Sequence, residues 1–190
     1  MRRFILALAG AAVLAGATTA ARADSYSDAL ANFRKAGASA KFLDSAYGYA
    51  LFPTIGKGGI GIGGAYGKGR VYEHGKVVGT TTLAQASVGF QLGGQAYSQI
   101  IFFQDANALK EFEREGFEFG ADASAAVITA GATATAGTKG ASAGASGDQK
   151  DATNAGAYYK GMAVFSIIKG GAMYELSLAG QKFTFKPGGG

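Results

Sequence analysis

Four groups of residues in this 190-residue chain have types or spacings that could do chemistry. Gly56-x-Gly58-x-x-Gly61 has the spacing of a dinucleotide-binding loop, and His74 is the single histidine. Glu111, Glu113, Glu115, Glu118 and Asp122 are clustered carboxylates. Lys57, Lys68 and Arg70, with Arg34, Lys35 and Lys41, are cations interleaved with Tyr47, Tyr49, Phe52 and Tyr66. The glycine loop works only between a strand and a helix whose N-terminus meets the pyrophosphate. Here an alternating β pattern follows it, so nucleotide binding is not expected. His74 sits between Glu73 and Gly75, with no nucleophile elbow and no ligand spacing around it, and reads as a turn residue. The glutamates read as the solvated face of a helix, since catalytic carboxylates need burial to move their pKa values. Asp122 interrupts an apolar, small-residue stretch, 117–127, and reads as capping a turn or hydrogen-bonding inside a polar pocket. Neither cofactor, metal site nor enzymatic activity is expected.

The cations suggest a surface. Lys and Arg near anionic headgroups contribute about 1 kcal/mol each, and aromatic rings suit the headgroup zone. The competing reading is ordinary solubilising charge over core aromatics. A helix over 25–36 would lay Tyr26, Leu30 and Phe33 into the interface while Arg34, Lys35 and Lys41 meet phosphates. If that helix is docked on the domain instead, the contact moves to Lys57, Lys68 and Arg70.

The elements that must position these residues begin with an address. Arg2 and Arg3, an apolar run over 4–17 and Ala21-Arg22-Ala23 have the form of a secretion signal, so residues 1–23 are expected to be removed. Loss of Arg2, Arg3 and Arg22 takes the net charge from +5 to +2, which leaves little case for nucleic acid. The absence of Cys removes disulfides, thiolate nucleophiles and Cys-ligated metals. With 48% hydrophobic residues, the chain can stand on its core.

Helices are expected over 25–36, over 39–46 and, capped by Asp105, over 105–115 with Leu109 and Phe112 inward. Pro53 is expected outside regular structure. Strands are expected over 59–66, 69–73, 76–82, 84–97, 99–104, 117–129, 157–168, 171–178 and 181–186, with tight turns at His74-Gly75 and Ala179-Gly180. Residues 99–104 are continuously apolar around Ile100, Ile101, Phe102 and Phe103, as in a strand buried on both faces. In 59–66, Ile60, Ile62 and Tyr66 alternate with Gly59, Gly61 and Gly63. With Gly64 these glycines form a structural motif that admits close approach to the backbone. Residues 138–153 read as a mobile loop and 188–190 as a frayed tail. The fold class is α+β and β-rich: a compact antiparallel sheet or barrel-like β core with a few short helices.

Residues 43–127 carry a combination of motifs: Ala46-Tyr47-Gly48-Tyr49-Ala50-Leu51-Phe52-Pro53, the GGIGIGGAYGKG run of 58–69, Ser87-Val88-Gly89-Phe90-Gln91-Leu92-Gly93-Gly94-Gln95, Ile100 to Phe103, the helix 109–112 and Gly120-Ala121-Asp122-Ala123-Ser124. In order and spacing this combination resembles the SYLF family of lipid-binding domains, which includes eukaryotic proteins of actin patches. The resemblance implies one domain over 24–187, lipid or phosphoinositide binding, actin binding in some members and no catalysis. An exported chain would meet envelope phospholipid rather than actin. The expected function is therefore a non-catalytic module, periplasmic and peripheral to the outer or inner membrane, that contacts anionic phospholipid. The alternatives are a small outer-membrane β-barrel and a structural module with a protein partner.

Overall fold

Residues 97–103 are buried without a break, and a strand that is apolar on both faces must be covered on both. The computed structural model describes residues 14–60, 62–88, 94–123, 125–129, 157–170 and 177–188. Helices α1 (Leu14–Lys35) and α2 (Gly37–Ser45) precede strands β1 (Gly48–Ile60), β2 (Ile62–Glu73), β3 (Lys76–Val88) and β4 (Gln95–Phe103). Helix α3 (Ala106–Glu113) and strands β5 (Ala125–Thr129), β6 (Met162–Gly170) and β7 (Lys182–Pro187) follow. The strands form one open sheet in the order β5-β6-β4-β1-β2-β3-β7. All pairs are antiparallel except the edge pair β5–β6. This is the expected β-rich α+β class in its open-sheet form; the described strands do not close into a barrel.

Each face of the sheet has its own core. On one, Leu51, Ile100, Phe102 and Phe165 meet Ala29 and Phe33 of α1, with Phe42 and Leu43 of α2 packed alongside. On the other, Ala50, Phe52, Ile101, Phe103 and Phe183 meet Leu109 and Phe112 of α3. The alternation Ile100/Phe102 against Ile101/Phe103 sends one β4 pair to each core, as period two requires. Helix α3 starts where expected: the Asp105 carboxylate accepts from the backbone N–H groups of Asn107 and Ala108, both at 2.9 Å. His74 and Gly75, with φ of +47° and +77°, make the β2–β3 turn of the primed type that matches strand twist.

Several expectations are corrected. Helix α1 is described from Leu14 to Lys35 and runs unbroken across Ala23-Asp24, N-terminal of the expected start at residue 25. Residues 59–66 are not one strand: the chain reverses, pairing Gly59 with Gly63 and Ile60 with Ile62. Cross-strand partners share a face just as i and i+2 do, so alternation continues through a hairpin and does not reveal it. Pro53 lies inside β1, buried, where the register shifts against both neighbouring strands. A bulge is where a strand tolerates a residue without an N–H donor, and Ser98 Oγ donates to the Pro53 carbonyl at 2.7 Å. Within 117–129 a turn at residues 121–122 separates the Phe117–Phe119 stretch from β5. The loop 138–153, Gly61, Phe90, Leu92 and most of the strand expected over 171–178 lie outside the described residues.

Candidate functional site

On the α1 side, the half of the sheet formed by β1, β4 and β6 is covered, and among the described residues the half formed by β2, β3 and β7 is bare except where Tyr26 of α1 meets Arg70. The register lays this bare face out in three cross-strand rows: Arg70–Thr80–Lys186, Lys68–Thr82–Thr184 and Tyr66–Ala84–Lys182. Neighbouring strands lie about 4.8 Å apart, and same-face residues along a strand about 7 Å apart. Four cations therefore share a patch only a few side chains across. Thr80, Thr184, Lys68, Lys182 and Lys186 are exposed, and Thr82 and Arg70 half-buried. Tyr66 is 53% exposed, the one large apolar side chain so exposed among the described residues. One carboxylate joins these rows: Glu118 bridges to Lys182 on the far side of β7, with its Oε2 3.5 Å from Lys182 Nζ, and so ends the Tyr66–Ala84–Lys182 row. The Thr82 and Thr184 hydroxyl oxygens are 2.5 Å apart and share a hydrogen bond.

The opposite side of the same strands explains why this face can be flat and polar. There the rows read Gly69–Thr81–Phe185 and Gly67–Leu83–Phe183. A Cβ on Gly69 would stand 2.8 Å from the Phe52 ring and from the Leu51 carbonyl, so glycine is what lets that ring lie on the strand. The close approach expected of glycine in a strand is thus present at Gly67 and Gly69, and is tighter still at Gly48 and Gly79. At Gly64 a Cβ would stand 3.0 Å from the Gln85 carbonyl, while Gly59 and Gly63 flank the hairpin tip.

The structure separates the expected binding residues into four groups. Phe33 is fully buried and Tyr26 and Leu30 pack on the same core, so the apolar face of α1 is spent on the sheet. Exposed contact with a membrane through these three side chains is corrected on that ground. Lys57 pairs with Ala65, a residue of the α3-side core, and so belongs to the opposite face from Lys68 and Arg70. Lys68 and Arg70 remain together on the bare face. Arg34, Lys35 and Lys41 are exposed at the end of α1 and in α2. Arg34 flanks the rows, acting electrostatically on Tyr49, which stacks on Tyr72 at 4.7 Å. Burial, then Tyr72, pushes the Tyr49 phenol up to about 12 against the pull of Arg34.

Tyr26 has a different use from the one expected. Its ring lies 4.4 Å beneath the Arg70 guanidinium. Stacking of this kind fixes the plane of the guanidinium and leaves its in-plane N–H donors available. The residues that sequence reasoning missed are Thr80, Thr82, Lys182, Thr184 and Lys186. Their signal was present in Lys182-x-Thr184-x-Lys186 alternating with Phe183 and Phe185, but the pairing of β7 with β3 spans about a hundred residues.

The other singled-out side chains have structural partners. Tyr47 donates to Glu73 and its ring meets His74 edge-on at 4.5 Å. Partial burial, then Glu73, raises the Glu113 carboxyl against the pull of Lys110. Glu111 pairs with Arg114 at 2.8 Å on the exposed side of α3. Asp122 accepts from the Tyr159 hydroxyl at 2.7 Å and from Lys160 Nζ at 2.6 Å.

Comparison with curated proteins finds no match. The family model described as Ysc84, Las17-binding protein actin regulator, matches residues 84–187. That span runs from within β3 to the end of β7 and includes two of the three strands that carry the rows, β3 in part and β7 whole, together with β4, α3, β5 and β6. It overlaps the motif-bearing stretch 43–127 from residue 84 onward. Because the match takes in more than half of the chain, the protein belongs to the Ysc84 family, the SYLF family that its motifs resemble.

Proposed function

We propose that this protein is a non-catalytic binding module of the bacterial cell envelope that meets anionic phospholipid headgroups through the bare face of β2, β3 and β7. One observation carries the reading: among the described residues, Lys68, Arg70, Lys182 and Lys186 stand on one sheet face beside Tyr66 and three threonine hydroxyls, with Glu118, at the end of the Lys182 row, as the one carboxylate that pairs with them. Each such cation near an anionic surface is worth about 1 kcal/mol, and an exposed tyrosine suits the headgroup layer. Export by removal of residues 1–23 is part of the proposal. The described side chains of α1 that pack on the sheet, Tyr26, Ala29, Leu30 and Phe33, belong to the part of the chain that this cleavage would keep. The family description as Las17-binding and actin-regulating supports a second reading, in which an acidic protein surface takes the same face.

The test is flotation with vesicles of phosphatidylcholine alone and with added phosphatidylglycerol, at low and high salt. Binding is expected to need the anionic lipid and to fade with salt. Reversing three charges, Lys68→Glu, Arg70→Glu and Lys186→Glu, is expected to weaken it by at least about a hundredfold, three lost contacts of about 1 kcal/mol each. A folded protein that floats on neither vesicle sinks the lipid reading and leaves the protein partner. Undiminished flotation of the triple variant sinks the assignment to this face.

A further inference from the structure

A cavity of about 350 Å³ opens between α3, the 117–123 segment and the start of β6. Phe119, Met162, Val164 and Leu178 form its buried apolar floor. Volume and lining are those of a small-molecule site, which is mostly apolar with a few placed polar groups. Its polar end is built from two tight turns. Ala123 N–H donates to the Gly120 carbonyl in one. In the other, Tyr159 and Met162 exchange backbone hydrogen bonds of 2.8 and 3.0 Å around Lys160 and Gly161, at φ of +50° and +78°. A non-glycine residue at positive φ is uncommon, and here it brings the lysine back toward Asp122.

The arrangement at that end already holds an ammonium. Lys160 Nζ is 2.6 Å from Asp122 Oδ2 and 5.3 Å from the centre of the Tyr159 ring. The Tyr159 hydroxyl donates to the same carboxylate oxygen and holds it in place. Lys160 is 70% exposed, so its side chain can leave without unfolding anything. The other two carboxylates of the lining, Glu111 and Glu118, face cations outside it, Arg114 and Lys182.

We propose that this cavity binds a small organic cation, a primary ammonium on an apolar body. The charge takes the place of Lys160 on Asp122 and Tyr159, and the body rests on Phe119, Met162, Val164 and Leu178. An anion of the same shape meets three carboxylates and one lysine. The preference is opposite in sign to that of the bare sheet face and does not rest on it.

The test uses the full chain and three probes of one shape, hexylamine, hexanol and hexanoate, titrated by NMR or calorimetry at neutral pH. Hexylamine is expected to bind at least about tenfold more tightly than hexanol, the equivalent of 1.4 kcal/mol, and hexanoate the least. Asp122→Asn, a change at the surface, is expected to bring the amine down to the level of the alcohol. Lys160→Ala removes the internal competitor and is expected to strengthen amine binding severalfold. Preference for hexanoate, weaker amine binding in Lys160→Ala, or no saturable binding of any probe by the folded protein overturns the proposal.

Discussion

Asp122 shows how much one side chain can hold at the surface of this fold. It joins the 120–123 turn to the Tyr159–Met162 turn through one carboxylate oxygen. Hydrogen bonds first from Lys160 and then from Tyr159 stabilise its charged form and draw it down from 3.8 to about 2. A carboxylate depressed in the folded state adds stability above its unfolded pKa and loses it as pH falls through the folded value. The stability advantage of the natural protein over Asp122→Asn is therefore expected to be constant above about pH 5 and to disappear between about pH 4 and pH 2. Urea midpoints of the two proteins across that range check it, and a difference that does not change with pH counts against the pairing. The residue was legible in sequence because a charge interrupts an apolar stretch. Its partners were not, since they lie 37 and 38 residues away.

At the scale of elements, α1 is a cover for the sheet. The spacing of Tyr26, Ala29, Leu30 and Phe33 is that of one helix face, and such a face is equally suited to a lipid interface or to a protein core. The apolar surface of Leu51, Ile100, Phe102 and Phe165 beneath it decides for the core. Phe33→Ala is accordingly expected to cost about 3 kcal/mol, the loss of a fully buried ring. Vesicle binding by the folded fraction is expected to be unchanged. Denaturant titration and flotation measure the two quantities separately. A variant that is fully stable but no longer floats would return α1 to the membrane. Helix α3 was readable down to its cap because its signals are local: Asp105, then Leu109 and Phe112 one turn apart. The hairpin at residue 61 was not, because it keeps the local alternation intact while changing the partners, and the bulge at Pro53 was not, because the extra residue that puts Phe52 and Ile55 on one face shows only in the pairing with the neighbouring strands.

At the scale of the whole molecule, a buried polar link ties the middle of the sheet to the segment entering β7. Gln99 and Gln181 are both fully buried, and their amides exchange hydrogen bonds of 3.0 and 3.4 Å, with the Tyr97 hydroxyl 3.5 Å away. Burial pushes the Tyr97 phenol well up, so it stays neutral. Removing one amide leaves the other without its partner, at about 1–3 kcal/mol. Gln99→Met and Gln181→Met are each expected to destabilise by that amount. The double variant is expected to cost at least about 1 kcal/mol less than the sum. A double-mutant cycle by denaturation measures the coupling, and simple additivity would show that the pair does not act as a unit. The link spans 82 residues and no local pattern announces it.

The sequence alone determined what depends on neighbours within a few residues. These are the caps and faces of the helices, the turn at His74-Gly75, the doubly buried β4 and the family motifs of 43–127. Two-faced burial of β4 already required that both faces of the sheet be covered, without saying by which elements or whether the sheet closed. Only the tertiary structure decided which partner each face met. It placed α1 on the β1–β4–β6 half, put Lys57 on the opposite face from Lys68 and Arg70, and brought Lys182 and Lys186 beside them by pairing β7 with β3. The physical reason is that period two and period 3.6 say which residues share a face, whereas strand order and register, settled by long-range packing, say what that face looks at.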